Sequence, residues 1–123
     1  MTIEYVSGAE LCLVNDVFYV SVVNSGGVVG DARILVNMQV ASPPIFGGSW
    51  SELLAFAWAP INPGEVVWFG IGILNIQHYW IQIFVNSADI VPSARLERPL
   101  NGGTVAVASY GPNDFAKFDR NRT

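Results

Sequence analysis

Apolar and polar side chains alternate with a period of two residues along most of this chain. The longest such run extends from Asp31 to Ala41. One face of that run carries Ala32, Ile34, Val36, Met38 and Val40. Because successive side chains of a β-strand point to opposite faces, the pattern predicts a strand with one buried and one solvated face. No segment shows a convincing helical period, so the pattern argues against a helical fold.

Turn residues divide the alternating pattern into seven predicted strands. These are Glu10–Val14, Asp16–Asn24, Asp31–Ala41, Leu53–Ala59, Glu65–Leu74, Tyr79–Asn86 and Thr104–Tyr110. Residues 87–103 are interpreted as a long polar excursion. The pattern predicts an all-β fold, an immunoglobulin-like two-sheet antiparallel sandwich of about seven strands. Residues 1–110 would form this single domain, and residues 111–123 a polar C-terminal tail.

The chain is unusually apolar for its size. Of its 123 residues, 51% are hydrophobic and only 13% are charged, against a typical charged share of about 25%. No stretch approaches the length of about 18 apolar residues that a membrane helix needs, so no membrane insertion is predicted. A small sandwich with this much apolar surface indicates self-association or a standing protein partner, because soluble monomers rarely expose large apolar patches.

The charge distribution argues against nucleic acid as a partner. The net charge is −4, and three of the six Lys and Arg residues lie among the last seven positions. No basic stripe runs through the body of the chain to neutralise phosphates. The first residues show no basic region followed by an apolar stretch, so no signal peptide is predicted in the chain as given. The compartment stays open.

Residues that could carry chemistry are sparse. The only cysteine, Cys12, alternates with apolar neighbours and is interpreted as a buried small hydrophobe, with a reactive or intermolecular thiol as the alternative. The only histidine, His78, is placed in a connection between strands, without the further ligands of a zinc site. A Ser-His-Asp arrangement can be drawn with Asp31 or Asp89, but no nucleophile elbow supports it. No catalytic, cofactor or metal site is therefore predicted.

Aromatic side chains supply the candidate binding surface. Trp58 and Trp68 lie in apolar strands, where large aromatics usually pack between the sheets. The strand Glu65–Leu74 is nevertheless apolar on both faces, and only one face of a sandwich strand meets the core. Its second face needs cover from a neighbouring chain, a loop or the lead segment. The candidate partner-binding residues are Phe46, Trp50, Val66, Trp68, Tyr79, Trp80 and Phe84.

Four of these aromatics support a second interpretation. Phe46 and Trp50 lie in a Pro/Gly-rich segment, residues 42–51, predicted as a loop that exposes its side chains. With Tyr79 and Trp80 they would form a platform on which sugar rings stack.

The order of three features resembles a known family. An Asn-x-Gly turn at Asn24 precedes the long alternating strand, and a Pro-Gly turn at Pro63 precedes an apolar strand. The strand Tyr79–Asn86 is then followed by a segment that contains Asp89 and Glu97. This order is similar to the bacterial cell-adhesion-related domain, a fibronectin-like sandwich. The resemblance covers residues 10–110 and implies a non-enzymatic extracellular or surface module.

The sequence thus predicts a non-catalytic binding or assembly module that self-associates or docks on a protein partner. Adhesion, surface, virion and filament roles all fit, since each needs only a fold and an interface. Two alternatives stay open: a carbohydrate-binding module that uses exposed aromatics, and a small enzyme with His78 as base.

Overall fold

The computed structural model describes residues 1–7, 10–12, 16–40, 50–73 and 77–120, with the side chains of residues 1–7, 16–37, 57–68, 70 and 80–120. Within these residues the chain forms ten strands and a 3-10 helix at Pro112–Asp114. The strands are β1 (Ile3–Val6), β2 (Glu10–Cys12), β3 (Asp16–Asn24), β4 (Gly30–Val40), β5 (Trp50–Ile61), β6 (Val66–Ile73), β7 (Gln77–Val85), β8 (Ile90–Leu100), β9 (Gly103–Tyr110) and β10 (Ala116–Asp119). The described residues contain no helix that is long and apolar enough to cross a membrane.

The strands form two antiparallel sheets. Sheet 1 has the order β10-β1-β7-β4-β5, and β2 also pairs with β7. Sheet 2 has the order β6-β3-β8-β9. Since β1 and β2 pair with successive parts of β7, they share one position in sheet 1. The described sheets therefore hold five and four strand positions, nine in all. The predicted all-β architecture of two antiparallel sheets is confirmed.

The core lies between the sheets and is built from alternate residues of strands in both. The predicted buried face of β4 is confirmed at Ala32, Ile34 and Val36, where side chains are described. Burial of each large aliphatic or aromatic side chain stabilises the fold by about 1.5–3 kcal/mol. The fully buried side chains include Phe18, Val20, Val22, Ile34, Val36, Ile81 and Ile83.

The strand order differs from the predicted immunoglobulin-like order. In an immunoglobulin domain of seven strands, A to G, the last two strands F and G lie side by side in one sheet, together with strand C. Here the chain crosses from β7 in sheet 1 to β8 in sheet 2, and the β8–β9 hairpin flanks β3. Side-chain alternation assigns faces to strands but does not say which sheet a strand joins, and this is why the sequence did not give the order.

The segment predicted as a polar excursion contains strand β8. Its inward residues Ile90, Ala94 and Leu96 keep the period of two, but two prolines and three charged residues obscure it. Pro92 lies where β8 pairs only with β3, and Pro99 where β8 pairs only with β9. Proline lacks the N–H needed in a central strand, and at both positions the described residues place a strand on only one side of β8.

The predicted tail also contributes to the sandwich as far as the structure describes it. Strand β10 pairs with β1 along its whole length. Phe115 is buried and makes an edge-to-face contact with Tyr5, with ring centroids 6.3 Å apart. A single buried aromatic among polar residues produces no alternation, so the sequence pattern did not reveal this segment.

Two residues predicted to lie in loops belong to strands instead. Trp50 is the first residue of β5, where it is paired with Gln39. His78 lies in β7, between Leu11 of β2 and Gln39 of β4. The predicted strands begin too late at both places. Next to Trp50 the reason is the Pro and Gly residues, and next to His78 it is the polar residues.

Candidate functional site: a groove on the outer face of sheet 2

The structure separates the predicted partner-binding residues onto opposite faces of the sandwich. Val66 and Trp68 lie on the outer face of sheet 2. Trp80 and Phe84 lie on the outer face of sheet 1 and are only partly exposed. Phe46 falls outside the described residues, as do the side chains of Trp50, Tyr79 and Cys12. The predicted set therefore does not form one site.

The expectation that Trp68 packs in the core is wrong, whereas Trp58 packs against it. The Trp68 side chain is 65% exposed, and its neighbour Val67 faces inward instead. Successive residues of β6 must face opposite sides. Because Val67 takes the inward direction, Val66 and Trp68 must face outward. This outward face is the second apolar face of the predicted strand Glu65–Leu74, which was expected to be covered by a neighbouring chain, a loop or the lead segment.

A chain of hydrogen bonds covers the outer face of sheet 1. Asn37 Nδ2 donates to Gln82 Oε1 at 3.2 Å, and Gln82 Nε2 donates to Glu4 Oε2 at 2.8 Å. Arg120 Nε donates to Glu4 Oε1 at 2.7 Å. Glu4 is only 4% exposed, so the Arg120 charge and the Gln82 amide offset the cost of its desolvation. The polar groups on this face thus bind mainly one another.

Two arginines cover aromatic rings on the same face. The Arg33 guanidinium lies 5.1 Å from the centre of the Phe84 ring, and that of Arg120 lies 4.9 Å from the centre of Phe118. Trp80, which is partly buried, also has an interaction partner. Cations over aromatic faces occupy the surface that a stacking ligand would use. Among the side chains that the structure describes, the outer face of sheet 1 therefore offers few open aromatic surfaces to a stacking ligand.

The outer face of sheet 2 is open and contains a groove of about 930 Å³, here called the outer groove. Its lining includes Tyr19, Ser21, Val66, Trp68, Ser93 and Arg95. Ser109 of β9 and, after that strand, Gly111 and Asp114 form a further part of the lining. Ligand pockets commonly measure about 300–1,000 Å³, so the outer groove is large enough for a small molecule or a short polymer segment.

The register of four strands places the polar and aromatic groups of the outer groove in two adjacent rows. In the first row, Ser21 of β3 lies between Trp68 of β6 and Ser93 of β8. The Ser21 and Ser93 hydroxyl oxygens are 2.8 Å apart and share a hydrogen bond. Residues directly opposite each other on one face of a sheet are within contact distance. The floor of the groove is consequently lined by hydroxyls beside an indole.

The second row crosses all four strands of sheet 2. Tyr19 of β3 lies between Gly70 of β6 and Arg95 of β8, and Arg95 lies opposite Ser109 of β9. A Cβ atom on residue 70 would come within 2.9 Å of Tyr19 Cε1, so glycine makes room for the tyrosine ring. The ring centre of Tyr19 lies 6.0 Å from that of Trp68 and 4.7 Å from the Arg95 guanidinium.

Residues 97–107 form the part of the β8–β9 hairpin that extends beyond the core. This part is here called the hairpin arm. All residues from Gly103 to Val107 are exposed, on both faces of β9. Leu100 at its tip is 58% exposed, and Val105 and Val107 are each 43% exposed. A sandwich strand normally buries one of its faces. The arm therefore presents apolar side chains that the described residues do not cover.

Polar contacts hold the base of the hairpin arm. Asp16 is fully buried and accepts two hydrogen bonds from Arg98, at 3.0 and 3.2 Å. Thr104 Oγ1 donates to Glu97 Oε1 at 2.6 Å, and Arg95 Nε donates to Glu97 Oε2. The Thr104 hydroxyl and the Arg95 guanidinium favour the ionised carboxylate and hold the pKa of Glu97 below its ordinary value.

The structure does not bring the candidate catalytic residues together. His78 is paired with Gln39 near one end of β4, whereas Asp31 lies at the other end of that strand. Eight residues of strand span about 26 Å at roughly 3.3 Å per residue, too far for a hydrogen-bonded pair. Asp89 contacts Gly26 and Ser25, in the loops at the Asp31 end. Among the described residues, no three His, Cys, Asp or Glu side chains could hold a metal ion together.

Most residues of the outer groove could not be identified from the sequence. Val66 and Trp68 were found because their strand is apolar on both faces. Tyr19, Ser21 and Ser93 occupy ordinary outward positions, and Arg95 lies in the segment interpreted as a loop. Their convergence depends on the pairing of β3 with both β6 and β8, for which a single sequence carries no local signal.

Comparisons with protein-family models, with curated proteins and with solved structures find no match to this chain. The resemblance to the bacterial cell-adhesion-related domain therefore rests on the turn and strand features of the sequence alone.

Proposed function

We propose that this protein is a non-catalytic binding and assembly module that self-associates through strand β9 of sheet 2. An adhesion, surface, virion or filament role is compatible with such an interface. The observation that carries the proposal is the hairpin arm, which is apolar and exposed on both faces of β9. An isolated two-stranded hairpin is only marginally stable in water. Burial against a second copy would supply the packing that the arm lacks.

The charges on the strand edges favour an interface on sheet 2 rather than sheet 1. An exposed edge strand is a template for pairing with another chain, and proteins commonly block it with charges, prolines or short length. At one edge of sheet 1, β10 is only four residues long and carries Lys117 and Asp119. At the other edge, β5 contains Glu52 and Pro60. In sheet 2 the edge strands β6 and β9 each have eight residues with neither a charge nor a proline, and of the two only β9 belongs to the exposed hairpin arm.

Pairing of β9 with β9 has a simple geometry. Two antiparallel copies of the same strand are related by a twofold axis, so the interface uses one patch twice and closes at a dimer. Sheet 2 of each copy would then continue into sheet 2 of the other. The exposed Val105 and Val107 would lie in this interface, and the apolar area that they bury there would leave water.

The strand order provides an analogy for this role. From β3 to β8 the chain changes sheet at every connection except the β4–β5 hairpin. This alternation is similar to that of double-sheet jelly rolls, which occur in capsid and lectin domains. A fold can host many functions, so the exposed arm supports the proposal more strongly than this analogy does.

Light scattering coupled to size exclusion, over a dilution series, tests the proposal. We expect the mass of a dimer or larger oligomer for the wild-type protein at high micromolar concentration. Val105→Lys would place like charges close together across the twofold axis and yield monomers. Val28→Lys is the matched control, because Val28 is exposed in the loop between β3 and β4, away from β9.

A wild-type protein that stays monomeric at high micromolar concentration would refute self-association. An oligomer that Val105→Lys leaves intact would place the interface elsewhere and refute the role of β9. Far-UV circular dichroism of both lysine variants verifies that each one is folded.

A further inference from the structure

The outer groove combines an exposed aromatic ring with hydroxyl groups and balanced charges, and none of these features is used by pairing along β9. Trp68 is the most exposed aromatic side chain among those described on sheet 2. An indole ring in water favours a ligand that offers it an apolar face. The remaining question is which chemical class fits the rest of the groove.

The Trp68 indole is held in place although it is exposed. Its ring contacts Tyr19 at an angle of 52° between the planes, and the Arg95 guanidinium lies over Tyr19 in turn. Gly70 leaves the space that allows Tyr19 to lean toward β6. A ring that is already ordered loses little conformational entropy when a ligand stacks on it. This arrangement is suited to a flat, partly apolar ligand surface such as the C–H face of a pyranose.

The floor of the groove can both donate and accept hydrogen bonds. Each serine hydroxyl has one hydrogen and two lone pairs. Only one hydrogen is used in the bond between Ser21 and Ser93, so the pair retains one donor and free lone pairs. The Ser109 hydroxyl lies opposite Arg95 and adds a third such group to the lining. Sugar hydroxyls also both donate and accept hydrogen bonds, so they can pair with these serine hydroxyls.

The charges of the groove favour a neutral ligand. Its lining contains one cation, Arg95, and one anion, Asp114. Arg95 is already paired with Glu97, and Asp114 Oδ2 accepts the Gly111 N–H at 2.7 Å. A phosphate or an acidic peptide would meet no uncompensated positive charge, which recognition of such anions requires. The Nη hydrogens of Arg95 remain donors for neutral oxygen atoms.

We infer that the outer groove binds a neutral saccharide, with one pyranose ring stacked on Trp68 and its hydroxyls hydrogen-bonded to Ser21 and Ser93. This site differs from the aromatic platform expected from the sequence, because among the described side chains the outer face of sheet 2 brings an exposed indole and hydroxyls together. The inference does not depend on the pairing of β9, since the groove and the hairpin arm use different side chains.

The test is a titration of the ¹⁵N-labelled protein with cellohexaose, chitohexaose, maltohexaose, mannohexaose, xylohexaose and laminarihexaose. The chain has four tryptophans, so its spectrum contains four indole N–H signals. The signal that is missing from the spectrum of Trp68→Ala belongs to Trp68. We expect at least one saccharide to shift this signal, with a Kd below about 1 mM, an affinity equivalent to about 4 kcal/mol.

Calorimetric titration of variants with the same saccharide completes the test. Trp68→Ala should weaken binding at least about tenfold, equivalent to about 1.4 kcal/mol. The double variant Ser21→Ala/Ser93→Ala should weaken it severalfold while the Trp68 signal still shifts. Phe118→Ala is the matched control, because Phe118 is an exposed aromatic on sheet 1, and it should leave the affinity unchanged.

Two outcomes would overturn the inference. One is that none of the six saccharides shifts the Trp68 signal. The other is that this signal shifts on dilution of the protein and not on addition of sugar, which would show that a second copy covers the groove. The effect of Val105→Lys on the mass in solution is measured without sugar, so failure of the saccharide inference is distinguishable from failure of the β9 dimer.

Discussion

Asn24 joins three segments at one end of the sandwich, and the effect of its removal can be worked out from its contacts. Its side chain is 1% exposed. Nδ2 donates to the carbonyl oxygens of Val28 and Ile61 at 2.8 and 2.9 Å, and Oδ1 accepts the Gly26 N–H at 3.0 Å. These bonds tie the turn after β3 to the end of β5. The Asn-x-Gly pattern of the sequence therefore marks a buried tertiary contact as well as a turn.

The substitution Asn24→Ala removes all three hydrogen bonds. Each contributes about 1 kcal/mol net, and a buried carbonyl left without its donor costs at least about 1 kcal/mol more. We expect the free energy of unfolding to fall by about 4 kcal/mol. Urea denaturation followed by circular dichroism and tryptophan fluorescence measures this change, provided that the slope with urea is unaltered.

The isosteric substitution Asn24→Asp separates hydrogen bonding from packing. The aspartate keeps the volume and the acceptor for Gly26, but it replaces both donors with an oxygen that faces two carbonyl groups. We expect a loss of stability at least as large as that of Asn24→Ala. The control Asn62→Asp, at an exposed position, should change stability by less than about 0.5 kcal/mol. A loss below about 1 kcal/mol for Asn24→Asp would refute the assignment of this stability to the two donated bonds.

Two further predictions concern ion pairs at strand ends. Arg120→Ala leaves the carboxylate of Glu4 buried without its cation. It should lower the free energy of unfolding by about 2 kcal/mol, a modest loss because Arg120 itself is half exposed. A double-mutant cycle with Glu4→Gln, followed by urea denaturation, measures the coupling of the pair, and a coupling below about 0.5 kcal/mol would contradict this prediction. Glu97 has a lowered pKa in the folded state, so its contribution to stability is present above its ordinary pKa of 4.5 and is lost as the pH falls through the lowered value. The stability difference between wild type and Glu97→Gln should therefore shrink between about pH 6 and about pH 3, and a difference that stays constant would contradict the lowered pKa.

The sequence pattern predicted those strands whose alternation is strong and uninterrupted. In β3 and β4 the described inward residues are mostly apolar and the outward ones are mixed, so local spacing alone separated the two faces. In β8 the same spacing is present, but Pro92, Pro99 and the charges around Leu96 mask it. The prolines fit a strand because, among the described residues, β8 is paired on only one side at Pro92 and at Pro99, and strand pairing is a tertiary property.

The candidate site shows the same division. The sequence singled out Val66 and Trp68, because a strand that is apolar on both faces has more apolar surface than a sandwich core can cover. It did not identify Tyr19, Ser93 or Arg95, whose residue types are ordinary at outward positions. Their meeting depends on the register between β3, β6 and β8, which is set by contacts between residues that are far apart in the chain.

By itself, the sequence determined that this chain forms β-strands, which residues of the clearest strands face inward, and that apolar surface remains after the core is filled. These properties follow from side-chain spacing within a few residues, where chain geometry leaves little freedom. Only the tertiary structure decided the order of strands, the exposure of the hairpin arm and the grouping of an indole with hydroxyls in the outer groove. Those features depend on which distant strands pair, and many pairings are compatible with one local pattern.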